Sequence, residues 1–577
     1  MVRRQGVHKY WVLPEPFPPE LDAALGAHAP LERQILVRRG VHSLEQADLF
    51  LKGGEPETGD PFLLLGMEAA VPRLLQAARS GEPVVVYGDY DADGVTATAL
   101  LVEVLEGLGA RVSAYIPNRF DEGYGLHEAA LTVLHHQGAR VVVSVDCGIR
   151  SVREAEHARD LGLDLILTDH HHPGPDLPPA FAVINPRLPG DPYPFKDLAG
   201  VGLAYKLAQA LRRQSGAPDP EEHLDLLAVG TIADLAALQG ENRHLVSQGL
   251  KQLNGEGSTA MRPGIRALIR VSGYEPGRVN ATAVGFGLGP RLNAAGRLES
   301  ADKALRLLTT RDPVEAESLA HELDAANRER QRLTRVTVER ARLLGLGPGP
   351  IPALIFAAHA EFNAGVVGLA AGRLTEEYYR PAIVASIGEE TTRASARSIP
   401  GVHITEMLDA CADLLVQHGG HAVAAGFTVR NENLEIVVER LRRSADATLG
   451  ASDPRPRLEI DAEARFADLD GALMSFLERL EPCGIGNPVP VFASRGVTVV
   501  QRRAVGSDGS HLKLTLREGG RVFDAIAFRQ GELAEGLPAR VDVAYHLERN
   551  LYMGVETPQL NVQDIRPYGQ KQAQERG

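Results

Sequence analysis

The sequence predicts a multidomain α/β protein: a unit built on a parallel sheet, a long connecting helix, a second α/β unit, and a small β-barrel towards the C-terminus. Three observations carry this prediction. From about residue 80 to 240, short β-branched runs alternate with longer helical ones. One uninterrupted helical pattern covers more than 30 residues up to Gly345. Beyond about residue 457 the pattern changes to strands separated by glycine-containing turns. A chain of 577 residues is too long for one core and corresponds to roughly 3 to 4 domains.

Taken in order, residues 1–60 read as a helical preface, with HSLEQADLFL (42–51) a short helix and KGGEPETGDP (52–61) a loop. Five strands follow: PVVVYGD (83–89), RVSAYIPN (111–118), RVVVSVDCG (140–148), LDLILTDH (163–170) and FAVINP (181–186). Between them, TATALLVEVLEGLG (96–109), HEAALTVLHHQG (127–138) and VREAEHARDLG (152–162) read as helices that close on glycine,. Apolar strands unbroken by polar positions, alternating with helices, imply a parallel sheet covered on both faces. In such sheets ligands gather beyond the carboxyl ends of the strands.

Residues 240–300 are less regular. ESADKALRLL (299–308) and the stretch 314–345 are helical patterns, and LGLGPGPIP (344–352) punctuates a boundary,. ALIFAAH, GVVGLAAGRLTEEYY and PAIVASIG then read as strand, helix and strand. RGVTVVQRRAV, HLKLTLRE, RVFDAIAFR and RVDVAYHLERN are the strands of the barrel. The resulting boundaries are 1–60, 61–298, 299–345, 346–450, 451–567 and a tail at 568–577.

Composition narrows the function. No apolar run reaches the ~18 residues of a membrane span, and the N-terminus lacks the apolar core of a secretory signal. A cytoplasmic protein with no membrane partner is expected. The three cysteines, Cys147, Cys411 and Cys483, form no CxxC pair, which argues against a disulfide framework and a thiolate zinc site,. The net charge of −14 disfavours general nucleic-acid affinity, but two local stretches are basic,. Residues 328–342 hold six arginines against two acidic residues, and 495–529 hold seven Lys or Arg against three. Solvated faces of a helix and a sheet explain either stretch equally well.

Four clusters fall where the functional edge of the sheet lies: Asp89-Tyr-Asp91-Ala-Asp93-Gly94, Asp146, Asp169-His170-His171-His172, and Asp234 after an apolar helical run. A lone Asp after a strand is ordinarily the N-cap of the next helix, and a histidine cluster before Pro-Gly-Pro is ordinarily a polar loop. Together they are harder to dismiss, because uncompensated like charges in a crevice cost several kcal/mol and divalent cations remove that cost. Carboxylates with imidazoles and no thiolates favour Mn²⁺ or Mg²⁺ over zinc or iron. So many anionic ligands exceed what one ion needs. They point to two ions per site, the arrangement that hydrolyses phosphoesters. There is no GxxxxGK[ST], no GxGxxG after the first strand and no GxSxG elbow,.

These clusters, in this order, resemble the DHH phosphoesterase superfamily. LAGVGLAYKLAQAL (198–211), GFGLGPRLNAAGRLES (285–300), GVVGLAAGRL (365–374), SARSIPGVHI (395–404) and GGHAVAAGF (419–427) look like the blocks of its RecJ family of single-stranded-DNA exonucleases. The resemblance covers roughly residues 80–567. It implies a DHH domain, a connecting helix, a DHH-associated domain with substrate in the cleft between the two, and an OB-fold that binds single strands.

Carried over, Asp93, Asp146, His170 and Asp234 would ligate one metal, and Asp89, Asp91 and a bridging Asp146 the other. His171, facing the scissile phosphate, and Asp91 are the candidate catalytic residues. Arg373, Ser395, Arg397, Gly419, Gly420, His421 and Asn363 would contact substrate phosphate. Asn363 stands in Phe362-Asn363-Ala364-Gly365, where the family usually has Trp-His-x-Gly, so this position carries no charge. Cys147 stands where many relatives have Asn.

The implied activity is two-metal hydrolysis of single-stranded DNA from the 5′ end to 5′-mononucleotides, in repair and recombination. The implied partners are a single-stranded-DNA-binding protein and a DNA helicase, the protein itself being a monomer, at the nucleoid when acting. The alternatives are a phosphodiesterase of short oligonucleotides or cyclic dinucleotides, and a non-catalytic DNA-binding scaffold.

Overall fold

The computed structural model describes residues 9–54, 59–118, 122–256, 260–298, 300–450, 454–506, 508–552 and 555–569. The centre of the loop expected at 52–61, residue 299 and most of the expected tail lie outside them. The chain forms two compact units. One comprises Ser43–Arg328 and Leu477–Val489. The other comprises Met1–His42, Glu329–Phe476 and Pro490–Gly577.

In the first unit all five expected strands form and all pair in parallel, in the order Arg111–Tyr115, Pro83–Tyr87, Val141–Val145, Asp164–Thr168, Ala182–Ile184. Period-two alternation divides their side chains. Val84, Val86, Val141, Val143 and Ile166 enter a core shared with the helices Ala92–Gly107 and Gly200–Ser215. Val85, Tyr87, Val142, Leu165 and Leu167 enter a second core with Glu128–His136 and Val152–Asp160. Both faces are therefore covered, which is why these strands read as unbroken apolar runs. From Pro83–Tyr87 the chain passes first to its neighbour at the edge, Arg111–Tyr115, and then to its other neighbour, Val141–Val145. This switch of direction opens a crevice at the carboxyl ends of Pro83–Tyr87 and Val141–Val145.

Residues 240–298, irregular in sequence, are mostly helical: Gly240–Leu253, Pro263–Val271, Ala281–Ala283, a π-helical turn Val284–Leu288, and Gly289–Leu298. Two of the glycines that obscure the pattern serve close packing. A Cβ on Gly249 would lie 2.1 Å from the Leu224 carbonyl oxygen, and one on Gly264 would lie 1.8 Å from that of Leu307. The 33-residue helix Pro313–Gly345 begins in this unit and ends in the other.

The second unit contains a five-stranded sheet in the order Leu415–His421, Ala424–Arg430, Thr391–Arg397, Ala382–Ile387, Ile355–His359. Only the last pair is parallel; the rest are antiparallel, with Ala424–Arg430 lying between Thr391–Arg397 and Leu415–His421. Val338 and Ala341 of the long helix pack with Ala370, Ala371 and Leu374 of the helix Val367–Tyr378.

Five further strands close a barrel: Phe492–Val505, His511–Glu518, Arg521–Ala527, Val555–Pro567 and Arg540–Tyr552, the last returning to pair with the first. The strand Val555–Pro567 is the one its sequence does not announce, since Pro558 and a polar pattern mask it. The preface is not wholly helical. Tyr10–Val12 is a strand paired in parallel with Arg457–Glu459, and buried Trp11 donates to Asp564 Oδ2 at 2.7 Å. Among the described residues, no helix is long and apolar enough to cross a membrane.

Gly249→Ala forces the helix Gly240–Leu253 away from Leu224. It is expected to lower unfolding free energy by about 1–3 kcal/mol, measured by urea denaturation.

Candidate active site

The strand Pro83–Tyr87 ends in Gly88 and Asp89, and the chain turns at once into the helix Ala92–Gly107. Asp91 is the N-cap of that helix: Oδ1 accepts from the backbone N–H of Asp93 at 2.9 Å and of Gly94 at 3.1 Å. The cap breaks the strand alternation, so Asp89, Asp91 and Asp93 leave the backbone in different directions. Gly94 is required here because a Cβ would lie 2.6 Å from the Asp89 carbonyl oxygen. Asp93, buried in the first turn, accepts from the Gly200 and Val201 N–H groups at 2.7 and 2.8 Å. Those amides open the helix Gly200–Ser215, whose positive end favours a carboxylate.

Asp146 follows the strand Val141–Val145 at φ 64°. It is not a helix N-cap, since Ser151 holds that position for Val152–Asp160. Few residues other than glycine adopt this backbone conformation, aspartate among the more tolerant. His170 Nε2 lies 3.1 Å from Asp146 Oδ1, 3.8 Å from Asp234 Oδ2 and 4.0 Å from Asp93 Oδ2. Asp234 arrives as the C-cap of the helix Leu224–Ala233.

Three sets of ligand atoms each lie within 4.8 Å of one another: Asp89, Asp91 and Asp146; Asp93, His170 and Asp234; and Asp146, His170 and His171. Asp146 Oδ1 and His170 Nε2 are buried without a hydrogen-bond partner among the described residues. Two Lewis bases facing one point with their lone pairs unsatisfied fit a cation between them. With oxygen donors in the majority and no thiolate, the set fits Mn²⁺ or Mg²⁺.

Electrostatics report the same crowding. Burial, then the neighbouring Asp91, pushes Asp93 up to about 7. Burial, then Asp93 and Asp91, pushes Asp234 up to about 9. Asp146 is raised well above the carboxylate range by burial and then by Asp93, Asp91, Asp89 and Asp234. Burial, then His171, lowers His170 to about 4, leaving it a neutral imidazole.

His171 behaves differently. Burial works against its charge, but Asp169 Oδ1, 2.7 Å from Nδ1, outweighs that and raises its pKa. Asp169 also accepts from the N–H of Ile149 at 2.9 Å and of His171 at 3.0 Å. It thus fixes the ring and favours its charged form, in which Nδ1–H donates to Asp169 and Nε2 also carries a proton,. Sequence reasoning assigned Asp169 no role; its place at the head of the Asp-His-His triplet was the available signal. Two further residues were missed. Tyr124 puts its hydroxyl 3.4 Å from His171 Nδ1 and 3.3 Å from the Asp146 carbonyl oxygen. Asn293 Oδ1 accepts from Ala92 N–H at 2.7 Å, steadying the aspartate turn. Cys147 is a core residue beside Tyr87 and Leu126, with burial and nearby carboxylates holding its thiol protonated.

The residues expected at phosphate lie in the second unit. Ser395 and Arg397 share one face of the strand Thr391–Arg397, where Arg397 Nη1 donates to Ser395 Oγ at 3.2 Å. Gly368 of the helix Val367–Tyr378 lies against both, and Arg373 is exposed on that helix. Through the sheet register Gly426 aligns with Ser395 and Gly419, and Ala424 with Arg397 and His421, so all four reach the same hairpin end. Gly420, at φ 146°, has no room for a Cβ, which would lie 2.4 Å from the Ala424 carbonyl oxygen. Asn363 Oδ1 accepts from Gly365 N–H at 2.8 Å, ordering the turn before the helix. Four arginines of the long helix, Arg328, Arg332, Arg340 and Arg342, are paired with carboxylates, so the basic stretch is largely neutralised locally.

Comparison with known proteins agrees with this anatomy. Residues 83–231 match the DHH family N-terminal domain, 351–449 the DHHA1 domain and 460–564 the RecJ OB domain. The single-stranded-DNA-specific exonuclease RecJ of Bacillus subtilis (strain 168) is 41% identical over 539 residues, covering 93% of this chain and 68% of the relative. That of Escherichia coli (strain K12) is 36% identical over 563 residues, covering 93% and 96%. The crystal structure of RecJ from Thermus thermophilus in complex with Mn²⁺ superposes with a TM-score of 0.83 at 33% identity, covering 97% of this chain and 80% of that one. Its Mg²⁺ complex gives a TM-score of 0.78 at 32% identity, covering 97% and 79%. With its three domains, its cation-ready carboxylates and these relatives, the chain belongs to the RecJ exonuclease family of the DHH superfamily.

Proposed function

We propose that this protein degrades single-stranded DNA from the 5′ end to 5′-mononucleotides, using two divalent cations, in DNA repair and recombination. The observation that carries the reading is the convergence of Asp89, Asp91, Asp93, Asp146, His170 and Asp234 in overlapping sets that share Asp146 and His170. Asp93, His170, Asp234 and Asp146 are assigned to one cation, and Asp89, Asp91 and Asp146 to the other. Bound Mn²⁺ or Mg²⁺ supplies Lewis-acid charge and an activated water nucleophile at neutral pH.

The chain's own groups supply the rest. His170 stays neutral and keeps its lone pair for coordination. His171, held by Asp169, presents an N–H to a phosphate oxygen or to the departing 3′ oxygen. Arg373, Ser395, Arg397, His421, the Gly419–Gly420 backbone and Asn363 are assigned to substrate phosphates, where cationic and backbone donors offset anionic charge. The concave face of the barrel that carries Arg502, Arg503, Lys513 and Thr515 is assigned to the strand further from the cut,. A monomer acting in the cytoplasm at the nucleoid, with a single-stranded-DNA-binding protein and a helicase, fits this activity.

End-labelled single-stranded DNA with Mn²⁺ tests the reading. Release of 5′-mononucleotides from the 5′ end is expected, with Asp93→Ala and Asp146→Ala each lowering kcat by about 100-fold or more and Asp169→Asn by about 10- to 100-fold. Release from the 3′ end, or full activity of Asp146→Ala, overturns it. A length series that peaks at dinucleotides would favour the short-oligonucleotide phosphodiesterase instead.

The raised carboxyl pKa values give a second prediction. Asp93, Asp146 and Asp234 hold protons more tightly in the folded protein than in the unfolded chain. Without metal, their contribution to stability is therefore present at low pH and lost as pH rises from about 4 to about 9,. Mn²⁺ should raise Tm more at pH 8 than at pH 6. Its binding near pH 7 should release protons, seen by calorimetry in buffers of different ionisation enthalpy.

A further inference from the structure

The segment Glu481-Pro482-Cys483-Gly484-Ile485-Gly486-Asn487 falls within the residues that match the RecJ OB domain, yet it folds as part of the catalytic unit. It is a turn closed on itself. Gly484 N–H donates to the Asn487 carbonyl at 2.8 Å and Asn487 N–H to that of Gly484 at 3.2 Å. Fully buried Asn487 Nδ2 donates to the carbonyls of Leu480 and Pro482 at 2.8 Å each.

Against this turn lies the stretch that leaves Asp234. Leu238 N–H donates to the Ile485 carbonyl at 2.7 Å, and Gln239 Nε2 to that of Gly486 at 2.7 Å. Arg243, 2% exposed, completes the contact. Nη1 donates to the Pro482 carbonyl at 3.1 Å, Nη2 to Glu481 at 3.1 Å and to Phe50 at 2.9 Å, and the guanidinium stacks 4.0 Å above the Phe50 ring. Gly484 and Gly486 permit the approach: a Cβ on either would lie 2.8 Å from Leu238 Cδ1 or 3.0 Å from the Gln239 side chain.

The stretch so held begins under strain. Asp234 ends the helix Leu224–Ala233, and Leu235 follows at φ 62°, with Ala236 N–H bonded back to the Thr231 carbonyl at 3.2 Å. Glycine takes this helix-ending conformation freely; leucine resists it. A strained turn persists only where its surroundings over-determine it, and here the chain is pinned within four residues.

We propose that the 481–487 turn is a brace that sets the exit of the Asp234 helix, and that Arg243 is a positioning residue for the metal centre through it. The proposal rests on Asp234 being a metal ligand.

Calorimetric Mn²⁺ titration of the full chain should show Arg243→Met binding about 10-fold more weakly, as loss of outer support for a ligand does. Its kcat should recover at high Mn²⁺ while KM for DNA stays unchanged. Hydrogen exchange on the wild-type protein gives a test that needs no variant: Mn²⁺ should slow exchange of Leu238 and of residues 481–487, and Asp234→Ala should abolish that effect, since coupling is reciprocal. Absence of Mn²⁺-dependent protection in the wild type, or unchanged Mn²⁺ affinity in a folded Arg243→Met, overturns the brace. Unchanged affinity in Asp234→Ala overturns instead the ligand assignment beneath it.

Discussion

Everything in the catalytic unit answers to one electrostatic constraint: the acidic side chains of Asp89, Asp91, Asp93, Asp146 and Asp234, from three separate chain segments, meet in a space where water is scarce. Left alone, that arrangement pushes strands and helices apart. The fold resists with groups that cannot move away. The N-terminal amides of Gly200–Ser215 hold Asp93, and Asp91 spends one oxygen capping its own helix. A left-handed backbone at Asp146 aims its carboxylate inward, at φ 64°. What these devices leave unbalanced is the affinity for cations. The parallel sheet matters because it brings consecutive strand ends, and so their terminal residues, to a single edge.

Much of this was legible in the sequence. Unbroken apolar runs announced strands buried on both faces, and an aspartate at or just beyond the end of three such runs, Asp89, Asp146 and Asp169, placed carboxylates at one edge. The helix endings were legible too, because Gly109, Gly138 and Gly162 all adopt left-handed conformations. The residues of the overlapping sets all lie in the clusters singled out in the sequence, three at strand ends and Asp234 after a helical run, while their division between two ions was implied by the family resemblance.

The rest was hidden for identifiable reasons. Sequence signals report local periodicity, and the supporting roles here are non-local. Asp169 orients a neighbour and anchors a loop 20 residues earlier, while Asn293 steadies a turn 201 residues away. The helices of 240–298 were obscured by glycines that serve packing at close range. The mixed order of the second sheet escaped because a short strand before a hairpin looks the same in sequence as one before a crossover. The basic helix illustrates the opposite error: counting arginines overstates charge when carboxylates of the same helix, Asp324 and Glu329, and of later segments, Glu361 and Glu377, pair with them.

The division of the chain also bears on how the protein is made. Polypeptides emerge from the ribosome in order, and domains ordinarily fold as they appear. This catalytic unit cannot do so completely, because Leu477–Val489 belongs to it and is synthesised only after the whole of the second sheet. Its last buried carbonyls meet Arg243 late in translation. The stretch that leaves Asp234 thus gains its contacts with residues 481–487 only after the whole of the second sheet has been synthesised, and before the barrel strands that follow Val489.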